Sequence, residues 1–114
     1  MASYFNLLPL KARTTNAVSP TVTVWEKYQA AHIVVDITAG SPKIVVTVKG
    51  KDAASGKGYT LLTSAELTSA TTVLRIGPEL TAGTNIAKDY LPYQFYVDVT
   101  LSGTATYSVG ASLI

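Results

Sequence analysis

No cysteine occurs in the 114 residues, so the chain can form no disulfide, offers no thiolate nucleophile and holds no cysteine-ligated zinc. Histidine is almost as scarce, with His32 alone. A hydrolytic triad would need it as the base. It falls on the polar side of an alternating run, with Asp36 four residues on and about 13 Å away at ~3.3 Å per extended residue. That is too far for a hydrogen bond, so His32 reads as a solvent-facing or interface side chain. The seven acids lie singly, at Glu26, Asp36, Asp52, Glu66, Glu79, Asp89 and Asp98, without the alternating acids and glycine of a calcium loop. We therefore expect no catalytic residues, no cofactor and no metal, and the chain is not expected to be an enzyme.

Charge is also short. Only 14% of residues are charged, against about a quarter in typical soluble proteins, and the net charge is +2. Nine basic side chains spread along the sequence do not make the concentrated basic face of a nucleic-acid binder, so no nucleic-acid partner is expected. Nor is a membrane, because no run approaches the ~18 apolar residues that span a bilayer. The apolar stretch from Tyr4 to Leu10 is not read as a signal peptide. No basic residue precedes it, Asn6 and Pro9 interrupt it, and no small-residue cleavage site follows closely. The loop Gly50-Lys51-Asp52-Ala53-Ala54-Ser55-Gly56-Lys57-Gly58 superficially resembles a phosphate-binding loop. Its glycines enclose five residues where four are needed, Gly58 stands where a hydroxyl should follow Lys57, and a strand follows it.

What is present is period-two alternation. Ile33, Val35 and Ile37 share one face and His32, Val34, Asp36 and Thr38 the other. Ile44, Val46 and Val48 alternate with Lys43, Val45, Thr47 and Lys49, and Ala39-Gly40-Ser41-Pro42 between the two runs reads as the turn of a hairpin. Further strands are expected at 59–63, 71–76, 93–101 (Tyr93, Phe95, Val97, Val99 and Leu101 inward) and 104–114, while 64–70 and 81–92 read as connections. Short strands rich in Thr and Val, turn signals about every ten residues and no convincing helix predict an all-β fold. The expected architecture is an antiparallel β-sandwich, jelly-roll or immunoglobulin-like, over residues 21–114, with an extended N-terminal arm over 1–20.

That arm combines apolar residues with a polar Thr, Ala, Asn and Ser linker, which predicts burial on a neighbour. Tyr4, Phe5, Leu7, Leu8 and Leu10 are the expected partner contacts, with Trp25 and Tyr28 at its base. Val34, Val45, Val73 and Tyr96 fall on faces that should be wet and predict an apolar patch that needs covering. Trp25, Tyr28, Tyr90 and Tyr96 are also candidates for an aromatic platform for sugar.

The stretches Val48-Lys49-Gly50-Lys51-Asp52, Ser55-Gly56-Lys57-Gly58-Tyr59-Thr60-Leu61-Leu62, Thr72-Val73-Leu74-Arg75, Pro78-Glu79-Leu80-Thr81 and Tyr107-Ser108-Val109-Gly110-Ala111-Ser112-Leu113-Ile114 resemble a family of small head proteins of tailed bacteriophages. The resemblance runs from Ala31 to Ile114. It implies a virion component, a capsid decoration or cement protein on the outer capsid surface. Its partners would be the major capsid protein and itself, as a homo-dimer or homo-trimer. The alternatives are a tail or head-tail connector component, or a carbohydrate-binding β-sandwich module on the virion.

Overall fold

The alternating runs become strands. The computed structural model describes residues 3–24, 28–40 and 42–114, and in them the chain forms ten: β1 (Ser3–Arg13), β2 (Ala17–Val18), β3 (Val22–Thr23), β4 (Ala31–Gly40), β5 (Lys43–Lys51), β6 (Gly58–Thr63), β7 (Ala70–Gly77), β8 (Ile86–Lys88), β9 (Gln94–Ser102) and β10 (Ala105–Leu113). They make two five-stranded sheets. Sheet I runs β1-β10-β4-β7-β8; sheet II runs β2-β9-β5-β6, with β3 also paired to β9. Every pairing is antiparallel except β7 with β8. The architecture is the expected all-β sandwich.

The order has a simple origin. Four antiparallel pairs, β1 with β10, β2 and β3 with β9, β4 with β7, and β5 with β6, are the rungs of one long hairpin. Rolling that hairpin adds two more pairings, β10 with β4 and β9 with β5, and closes it into two facing sheets. This is a jelly roll, two interlocked Greek keys.

Between the sheets lies one apolar core, with Tyr107, Phe95, Ile33, Ile44, Leu74 and Ile76 its largest fully buried side chains. Each buried Val, Leu, Ile or Phe contributes roughly 1.5 to 3 kcal/mol of transfer free energy, before the entropy of ordering the chain is set against it. Strands β4, β5, β9 and β10 bury alternate residues, as their sequences require.

Three expectations are corrected. Residues Ser3–Arg13 are no free arm: they are the edge strand of sheet I, in register with β10 from Ser3↔Leu113 to Arg13↔Ala105. Leu7 and Leu8 are only 3% and 7% exposed and belong to the core. A bulge between Asn6 and Leu8 turns two consecutive leucines inward, which erases the period-two signal there. Ala17 and Val18, in the stretch read as linker, form β2 along β9, and β3 follows along the same strand within the part expected to be sandwich.

Second, β4 and β5 are not a hairpin. They lie in different sheets, and the chain crosses from one to the other near Gly40. Gly40 has φ +97, and a Cβ on it would collide with the Thr104 carbonyl oxygen, so the crossing needs glycine there. Both strands turn an apolar face to the same core, so alternation looks the same for an arch as for a hairpin.

Third, Tyr93 precedes β9 and is 58% exposed instead of inward. The short parallel strand β8, inside an expected loop, was not legible at all.

Candidate interaction surfaces

Among the described residues, no group of three or more His, Asp or Glu side chains comes together to hold a metal ion. His32 is half-buried on the outer face of sheet I, paired laterally with Ser112 and Arg75. Asp36, two pairs along on the same strand, accepts a hydrogen bond from Thr71 Oγ1 at 2.9 Å. The loop 52–57 is built around Asp52 instead of an anion. Its carboxylate accepts from Ser55 Oγ (2.7 Å), Ser55 N (3.2 Å) and Ala54 N (3.4 Å), which holds its pKa below the usual 3.8.

Of the expected contacts, Tyr4 and Leu10 are free to meet a neighbour, 77% and 57% exposed at either end of β1's apolar stretch. Phe5 is half-buried against the core, and Leu7 and Leu8 are inside it, so these three cannot serve as an arm laid on another subunit. Tyr28 is half-buried and packs on the core as well. Trp25 lies outside the described residues. The four outward apolar residues do not make one patch. Val34 and Val73 are paired on sheet I, while Val45 and Tyr96 are on sheet II, on the opposite side of the molecule. All four are half-buried by their own neighbours.

Two features emerged that the sequence did not indicate. The first is an end-to-end asymmetry. The exposed tyrosines Tyr4, Tyr59, Tyr90 and Tyr93 all belong to the end of the sandwich where β1 and β6 begin, β10 stops and the 78–93 connection lies. The described residues at the opposite end, around 14–16, 40, 43, 64–70 and 102–104, include no tyrosine. The roll brings these tyrosines to one end from positions 4 to 93, so linear spacing carries no sign of it.

The second is a groove of about 610 Å³ on the outer face of sheet I, running along β10. Its floor is Ser108, Gly110 and Ser112, its walls Tyr4 and Leu10 of β1 on one side and Val34 of β4 on the other. It exists because every outward residue of β10 from Thr106 to Ser112 is small. Smaller grooves lie beside Gly77 to Leu80 and between β1 and β3, of about 400 and 360 Å³. The first of these contains His32 and Glu79 among apolar residues.

Solved structures share the fold. The chain superposes on a chain from the structure of infectious bursal disease virus, Gx strain, with a TM-score of 0.57 at 6% identity, covering 99% of this chain and 31% of that one. A chain of the Gt strain gives 0.51 at 8% identity, covering 98% and 32%. At such identities the likeness is one of fold, and this chain spans about a third of the length of those viral chains. No protein-family model and no curated protein matches the sequence. What the comparisons establish is a jelly-roll sandwich of the kind found within chains of a virus particle.

Proposed function

We propose that this protein is a non-enzymatic structural component of a virion, a decoration or cement protein that binds the outer surface of the shell formed by the major capsid protein. The observation that carries the reading is the fold, a likeness that extends over nearly the whole of this chain to part of a chain from a virus structure. The resemblance of residues 31–114 to tailed-phage head proteins supports the same class. Jelly rolls also build lectins, so fold alone would leave the class open.

The contact cannot be a detached arm, because Leu7 and Leu8 hold the sandwich together. The tyrosine-bearing end is the better docking surface. Tyrosine supplies large area with few rotatable bonds and a hydroxyl for a polar partner. Modest contacts suffice when many copies act together on a repeating shell.

Two measurements test this. Purified particles should contain the protein in amounts comparable to the capsid subunit, by quantitative mass spectrometry. A few copies per particle would instead indicate a tail or connector component. Isolated protein should bind preformed shells, and Tyr90→Ala with Tyr93→Ala should weaken that binding at least about tenfold while preserving the fold. The same tyrosines favour a carbohydrate-binding module as the second reading; selective binding on a glycan array, with no affinity for shells, would establish it.

A further inference from the structure

The outer face of sheet I is complementary to itself. Its cross-strand rows can be read from the register. One row is Tyr4, Ser112, His32 and Arg75; the next is Asn6, Gly110, Val34 and Val73; the third places Ser108, Asp36 and Thr71 together, with Leu10 of β1 alongside. Along β10 the face is hollow, and along the neighbouring β4 and β7 it carries the Val34 and Val73 ridge. A hollow and a ridge on adjacent strands are the requirement for an isologous contact.

We infer that a second copy of this chain packs on this face, sheet I against sheet I, about a two-fold axis running parallel to the strands between β10 and β4. Such an axis keeps each row opposite the same row and reverses its order. Val34 of each copy then enters the hollow over Gly110 of the other. Space for it is real: a Cβ on Gly110 would meet only the Phe5 carbonyl oxygen, at 3.6 Å, and no outer-face atom. Asn6 meets Val73.

Polar groups pair under the same operation. Asp36, whose one oxygen is held by Thr71, comes opposite the Ser108 hydroxyl, a donor for the other oxygen. Arg75, exposed, comes opposite the ring of Tyr4, which is 77% exposed. No like charges are set against each other. Stacked sheets pack about 10 Å apart and cross at about 30°, which loosens the fit toward the rim and keeps it at the Val34 and Gly110 centre.

Four strands at ~4.8 Å spacing and seven residues at ~3.3 Å give a footprint of about 450 Å² per copy, rather more in accessible surface. That places the pair at the low end of specific interfaces, so a reversible dimer dissociating in the micromolar range is expected. The inference does not depend on the virion reading; it concerns the isolated protein.

Sedimentation velocity over a wide concentration range, on wild type and three variants, tests it. Wild type should shift from monomer to dimer. Gly110→Val fills the hollow in a strand where valine suits the backbone, and should raise the dissociation constant at least about tenfold with an unchanged or higher melting temperature. Val34→Lys should do the same from the ridge side, which keeps the test decisive if one variant folds poorly. Val45→Lys, on the outer face of sheet II, should leave dimerisation unchanged. Wild type that stays monomeric to about 1 mM overturns the inference. So does a dimer indifferent to Gly110→Val and Val34→Lys, since its contact lies elsewhere. A monomeric protein whose binding to shells is blocked by Gly110→Val overturns it too, because the face then belongs to another partner.

Discussion

Two buried serines stand where sheet II has too little strand to pair with. Ser19 Oγ accepts from Val97 N at 2.9 Å, and the Ser19 amide donates to the Val97 carbonyl at 2.9 Å, joining β2 to β3 along β9. Ser64 does the same past the end of β6. Its Oγ accepts from Val46 N at 2.9 Å, its amide donates to the Val46 carbonyl at 2.8 Å, and its hydroxyl donates to the Ala65 carbonyl at 2.7 Å. Each hydroxyl replaces a backbone carbonyl in a ladder. Ser64→Ala or Ser19→Ala should therefore destabilise by about 1–3 kcal/mol in urea denaturation, more than a surface serine would, because a buried amide loses its acceptor. Sequence offers no sign of this, since a serine in a turn-rich stretch reads as solvated.

Tyr107 behaves differently. It is fully buried under the Arg13 guanidinium, 4.6 Å from the ring centroid. Arg13 is itself held by the carbonyls of Tyr107 and Pro9, both at 2.7 Å. The Tyr107 hydroxyl finds no hydrogen-bond partner among the described residues. Tyr107→Phe should then be neutral or stabilising by up to ~1 kcal/mol at pH 7. Burial pushes the Tyr107 pKa above 10, partly offset by Arg13. The unfolded chain releases this proton near pH ~10 while the folded chain keeps it, so stability is level below pH ~10 and falls above it. In Tyr107→Phe that alkaline fall should be shallower, as measured by denaturation midpoints between pH 9 and about 11.

At the scale of elements, β1 decides how the molecule must be understood. Its composition is that of an interface peptide, and its function in the fold is to pair with β10 and close sheet I. Leu7→Ala should cost about 2–5 kcal/mol of stability, as for a core cavity, whereas Leu10→Ala, 57% exposed, should stay within about 0.5 kcal/mol. Thermal or urea melts of the two variants separate an integral strand from a detached arm directly. The same strand shows where reading a sequence stops. In β4, β5, β9 and β10 strict alternation identifies the buried residues because neither face is interrupted. A bulge adds one residue, puts Leu7 and Leu8 on the same side and makes a strand resemble an apolar peptide. Alternation also fixes which side of a strand is buried without fixing its sheet, and so β4 and β5, adjacent in sequence, ended up opposed across the core.

The whole molecule is dominated by pairings between distant segments. β1 meets β10, β4 meets β10, and β5 meets β9, so neither sheet can be completed before segments far apart in the chain come together. Loop closure must precede the contacts that reward it, which places folding in the millisecond-to-second range, slower than a helical domain of similar length. Stopped-flow refolding monitored by tyrosine fluorescence should show this, and a sub-millisecond main phase would contradict it. The same arrangement organises the surface. The low charge content reflects Thr and Ser on outward strand positions, and the roll then gathers the exposed tyrosines at one end and sets the hollow of β10 beside the ridge of β4.

Taken alone, the sequence determines what is local. Alternating apolar residues specify strands and their buried sides, because a pleated backbone sends successive side chains to opposite faces. The absence of cysteine and the single histidine removed whole classes of chemistry before any fold was known. Tertiary structure decided which strands are neighbours. Backbone hydrogen bonds are the same for any pair of sequences, so partner choice rests on how all the apolar faces can be covered at once. That condition turned the supposed arm into an edge strand and parted β4 from β5 across the core.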